Sequence, residues 1–126
     1  MTPALLDLAR ELVALPGWAW RPGMRWIAER GRGLEPVVGR VVEGRRVLAD
    51  GVYPGAIPDL SDPATLGAML GLVRGLADCP WLSVVGGMEG WRVAAEDGPW
   101  WVTGLPVFDA EAPAIVAALR AAEATP

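Results

Sequence analysis

Apolar residues recur at helical spacing in three stretches of the chain, and short β-type runs separate them. In the first stretch Leu5, Leu8, Leu12 and Leu15 share one face, with Asp7, Arg10 and Glu11 off it. Thr2 suits the cap and Pro3 the first helical position, so the spacing predicts a helix over 3–15 that ends at Pro16-Gly17. A second helix is expected from a Ser61 or Asp62 cap, with Pro63 in its first turn, to about Ala77. Leu66, Met69, Leu70, Val73 and Leu76 form its core face, and Pro80 forbids continuation. The third helix is expected over 110–123, capped by Asp109, with Pro113 in its first turn and Ile115, Leu119 and Ala122 on one face.

The intervening segments read as strands. A short strand at 24–29 lies within the Gly/Pro-rich stretch 16–35. Residues 36–53 read as a meander: Val37, Val38, Val41 and Val42, a turn at Glu43-Gly44, a strand over 45–49, and a turn at Asp50-Gly51. Three more strands are expected over 81–85, 91–95 and 100–103, with turns at Gly86-Gly87 and Asp97-Gly98. Helices mixed with meanders predict an α+β fold. The expectation is a small layered α/β sandwich of three helices and a mostly antiparallel sheet, formed by 1–126 as a single domain.

Composition removes whole classes of chemistry. All eleven basic residues are Arg, and there is no Lys, His, Asn or Gln. Without His the commonest general base and metal ligand is missing, and without Lys so are Schiff-base chemistry and the phosphate-loop lysine. Ser61 and Ser83 therefore lack a base for a triad, and Cys79 lacks an imidazole partner. Carboxylates remain: Asp59 and Asp62 could serve as acid and base or hold Mg²⁺, although helix capping is the simpler role. The chain is read as no enzyme, with no cofactor and no metal site. One Cys excludes an internal disulfide framework. No run of about 18 apolar residues is present, so no membrane span is expected. The charged N-terminus and the lone Cys fit a cytoplasmic location.

Net charge is −4, which argues against general nucleic-acid binding. The distribution is uneven, with seven Arg against three acids over 21–46 and three Arg against nine acids over 59–126. Arg40, Arg45 and Arg46 are the concentrated cations, and Arg suits bidentate phosphate recognition. Of seven Trp, Trp100 and Trp101 are adjacent, so in a strand they point to opposite faces. Trp91 and Arg92 complete a candidate stacking and anion site. Gly67, Gly71 and Gly75 recur on one face of the second helix, where each costs about 1 kcal/mol relative to Ala. Close packing within the domain or self-association would offset that cost, and a homo-oligomer is expected.

Residues 57–122 carry further features: Ile57-Pro58-Asp59-Leu60-Ser61-Asp62 before a helix, Gly90-Trp91-Arg92-Val93 in a strand, and a closing Glu111-Ala112-Pro113-Ala114-Ile115 helix. This pattern resembles small phage and prophage proteins with the phage ABA sandwich domain. The resemblance implies a phage origin, a small α/β fold and an accessory role in the infected bacterium's cytosol. It carries no catalytic residues to transfer, and residues 1–56 lie outside it. Together these readings point to a phage accessory protein that sequesters a small anionic ligand, such as a nucleotide immune signal. The alternatives are a module that inhibits a host protein and a structural phage component.

Overall fold

The computed structural model describes residues 1–29, 34–42 and 55–125. Among these residues the fold is α+β, with three α-helices and two small antiparallel sheets. The chain divides into two compact units, one of Met1–Ala14 with Trp18–Ala68, the other of Leu15–Gly17 with the chain from Met69 onward.

In the first unit, helix α1 (Pro3–Val13) is capped as its sequence predicts, with Leu5 N–H donating to Thr2 Oγ1 at 3.2 Å. Strand β1 (Arg25–Ala28) lies between β2 (Val37–Arg40) and β3 (Ile57–Pro58), antiparallel to both. The expected hairpin between 37–42 and 45–49 falls partly outside the described residues. The partner seen for β2 is β1, with Trp26 opposite Gly39. The Trp26 ring lies where a Cβ on Gly39 would stand, so only glycine fits there. Ala9, Leu12, Met24, Ala28, Val41, Ile57, Pro58 and Leu60 are buried apolar residues of this unit before α2.

Helix α2 (Pro63–Ala77) gives its first six residues to this unit and the rest to the other. Asp62 caps it, accepting from Thr65 N–H at 3.0 Å and Thr65 Oγ1 at 2.9 Å. It ends where Asp78 takes a left-handed conformation (φ 50°) and Cys79 N–H reaches back to the Arg74 carbonyl. Leu76, expected in the core, is exposed instead.

The second unit is built on a hairpin of β4 (Ser83–Gly87) and β5 (Gly90–Ala94), backed by α3 (Glu111–Ala124). Its turn is Met88-Glu89, two residues later than the Gly86-Gly87 turn expected. Gly86 instead stays in the strand because the Trp91 ring lies over it, and Gly90 (φ +126°) supplies the unusual backbone angle at the turn's exit. The expected strand over 100–103 is a 3-10 helix (Trp100–Gly104), entered through Pro99 at φ −55°. Proline holds that angle and Val102 N–H bonds the Pro99 carbonyl, so the chain turns tightly where alternation suggested extension. The α3 cap is Ala110, without a side-chain bond, and not Asp109. Ile115, Leu119 and Ala122 are buried as expected, together with Ala112, Ala114, Val116 and Ala118, because alanines let α3 bury more than one stripe.

Candidate functional site

Pleating sorts the β4–β5 hairpin into two faces. Val84, Val93, Gly86 and Trp91 share one, and Val93 is buried there. Ser83, Val85, Arg92 and Ala94 share the other, which is open. Just outside the strands, the Trp81 indole N–H donates to the Glu96 carbonyl at 2.7 Å. That bond holds the ring at one end of the open face while 53% of the residue remains exposed.

A cleft of about 370 Å³ runs along this face, lined by Trp81, Ser83, Arg92, Ala94, Glu96 and Thr103 among others. Its floor is the small pair Ser83 and Ala94. Trp81 forms one end, and Arg92, paired with Val85, stands toward the other. Arg92 also lines a second cleft of about 280 Å³ toward the hairpin tip, with Met88, Glu89 and Val107. No hydrogen bond or ion pair engages the Arg92 side chain among the described residues, in contrast to Arg25, Arg40 and Arg74.

The other polar concentration is the junction leading into α2. Asp59 is buried and accepts from Arg25 Nη1 at 2.8 Å and from both Ser61 N–H and Ser61 Oγ. Asp62 accepts from Arg40 Nη1 at 2.9 Å and Nη2 at 3.3 Å, besides Thr65. The Arg40 guanidinium, opposed by partial desolvation and helped by Thr65, holds the Asp62 carboxyl down at about 2. A carboxylate so committed is a poor proton acceptor near neutral pH. This cluster locks β1, β2 and β3 to the start of α2. No group of three or more metal-ligating side chains occurs among the described residues.

Comparison with protein-family models, curated proteins and solved structures found no match to this chain. The site is therefore read from its geometry.

The residues expected to form one pocket are distributed differently. Arg40 belongs to the first unit and is engaged by Asp62 and by the Gly23 carbonyl. Arg45 and Arg46 lie outside the described residues. Trp91 and Arg92 are neighbours in sequence but project to opposite faces of the hairpin. Trp101 is 8% exposed and Trp100 is 79% exposed, on a 3-10 helix and not a strand. Trp100 lines a different cleft, of about 320 Å³, with Leu76, Pro99 and Ala122. Of the expected set, Arg92 alone lies in the cleft beside Trp81, which sequence reasoning passed over. The signal was available: residues 81, 83 and 85 alternate onto one face, and 92 and 94 on the paired strand fall on that same face. Gly67 and Gly75 of the expected interface are exposed, and a Cβ on either would meet no atom within 4 Å. Gly71 is half-buried.

Proposed function

We propose that this chain is a non-enzymatic binding protein that takes a small anionic ligand carrying a flat ring, the chemistry of a nucleotide. The carrying observation is the cleft between Trp81 and Arg92. An indole edge-pinned by a backbone bond offers its face for stacking, and an unengaged guanidinium offers a bidentate fork to one phosphate or carboxylate. The small floor between them leaves room for the body of an elongated ligand. A single cation suits one anionic group and not a polyanion, in keeping with the net negative charge. The absence of His and Lys and the engagement of Asp59 and Asp62 favour binding over catalysis. The phage setting rests on the resemblance of 57–122. In that setting the chain would sequester a nucleotide immune signal in the host cytosol.

Native mass spectrometry and calorimetry with mononucleotides, cyclic dinucleotides and ADP-ribose-type nucleotides test this reading. Retention of one class at fixed stoichiometry is expected. Arg92→Ala should weaken it at least about tenfold, by the scale of one charge-assisted pair, and Trp81→Ala comparably, with unchanged circular dichroism. Equal affinity in both variants, or no retained nucleotide, sinks the assignment.

A second reading, a module that docks on a host protein, is favoured by Trp100. This indole is almost fully exposed beside Leu76, and large exposed aromatics are characteristic anchors of protein interfaces. Loss of a captured host protein on Trp100→Ala, with nucleotide binding absent, would favour it.

A further inference from the structure

The free edge of β4 carries an observation independent of the ligand cleft. Trp91 N–H donates to the Phe108 carbonyl at 2.6 Å, and Phe108 N–H donates to the Trp91 carbonyl at 2.8 Å. Both Trp91 backbone groups therefore point away from β4. In an antiparallel ladder, hydrogen-bonded and non-bonded pairs alternate. Arg92 and Val85 are thus a bonded pair, while the N–H and C=O groups of Val84 and Gly86 point outward from the hairpin. β5 is the only strand paired with β4 among the described residues. Gly86 and Gly87 are exposed, and a glycine's exposure is exposure of its backbone.

An unpaired edge of this kind is usually guarded by a charge, a proline, a bulge or a covering loop. Residues Ser83-Val84-Val85-Gly86-Gly87 contain no charge and no proline, and their register with β5 is continuous, without a bulge. Val85 is 50% exposed, and Trp81 and Met88 flank it as further exposed apolar residues.

We propose that β4 pairs antiparallel with the β4 of a second copy of this chain, joining two hairpins into one four-stranded sheet. The outward groups restrict the register to pairings of even-numbered residues, and the one that keeps its bonded pairs within β4 is taken. Val84 of each copy faces Gly86 of the other and exchanges both N–H···O bonds with it, and Val85 meets Val85 on the two-fold axis as the close, non-bonded pair. The sequence is self-complementary in that register. Ser83 faces Gly87, Leu82 faces Met88, and the one acid at the hairpin tip, Glu89, faces Trp81, so no like charges oppose each other. A register centred on Val84 would also match outward groups, but it carries its outer bonded pairs onto Leu82, beyond β4. The two-fold is perpendicular to the sheet, so the open faces of both hairpins continue into one another. The two Arg92 Cα atoms are then three strand spacings apart, about 14 Å.

Sedimentation equilibrium of the full chain from micromolar to millimolar concentration, paired with amide exchange, tests the pairing. The expected results are a two-chain mass and slow exchange at Val84 and Gly86 that deepens with concentration. Val84→Pro removes an outward donor and leaves the β4–β5 ladder intact. Val85→Lys sets two cations against each other on the two-fold at a half-exposed position. Both variants should give a single-chain mass with native circular dichroism and fast exchange at Gly86. Should Val84→Pro fail to fold, Val85→Lys decides alone. Gly75→Leu on α2 should leave the two-chain mass unchanged. A single-chain mass for the parent protein throughout the range, a two-chain mass surviving Val85→Lys, or unprotected Val84 and Gly86 amides would each overturn the proposal, as would dissociation by Gly75→Leu alone.

Discussion

Asp62 shows how much one side chain can settle. It caps α2, orients Thr65 and binds Arg40, so its carboxylate form is tied to the folded state. Its pKa falls from an ordinary 3.8 to about 2. A lowered folded-state value means that its stabilisation is fully present above about pH 4 and is lost as the pH falls toward 2. In Asp62→Asn, the unfolding temperature should be lower than the parent's at neutral pH, and the gap should narrow across that window. A constant gap from neutral pH to pH 2 would refute the linkage. Asp62→Ala should cost about 1 kcal/mol through loss of the cap alone, measured by denaturant unfolding. The capping role was legible in Asp62-Pro63, because a cap is a local bond to a residue three positions on. The pairing with Arg40 was not, because it crosses 22 positions and depends on which strand β2 joins.

At the scale of elements, α2 and the hairpin tip make opposite demands on glycine. A Cβ at Gly67 or Gly75 meets only open space, so the helix carries the conformational cost of glycine without close packing at either position. Gly67→Ala and Gly75→Ala should each stabilise the fold by up to about 1 kcal/mol, seen as a higher unfolding midpoint. A lower midpoint would mean that a partner packs closely there. Gly90→Ala should destabilise the protein. Its φ of +126° disfavours a side chain, and the new Cβ would collide with the Phe108 carbonyl that bonds Trp91. Residues 100–103 show why element type was partly hidden. Trp-Trp-Val-Thr has high β-propensity, yet Pro99 and burial of Trp101 favour a tight turn, and propensity is a weaker term than burying an indole.

Helix α2 runs through the boundary between the two units, supplying Leu66 to the buried residues of one and Met69 and Val73 to those of the other. Ala68→Pro, at the boundary, should break the helix at a cost of about 3 kcal/mol or more. Amide protection along α2 should fall on both sides of residue 68, and protection unchanged on both sides would contradict the break. Among the described residues no helix is long and apolar enough to cross a membrane. The sequence by itself determined the three helices, the α1 cap, the α+β class and the residue types that are missing. These follow from periodicity, from bonds spanning three or four residues, and from inventory. Only the tertiary structure decided that β2 pairs with β1, that Trp91 and Arg92 part to opposite faces, that Trp81 joins Arg92 along a cleft, and that β4 has β5 as its one paired strand among the described residues. Each of those depends on register between distant segments, where a shift of one residue exchanges every inward side chain for an outward one.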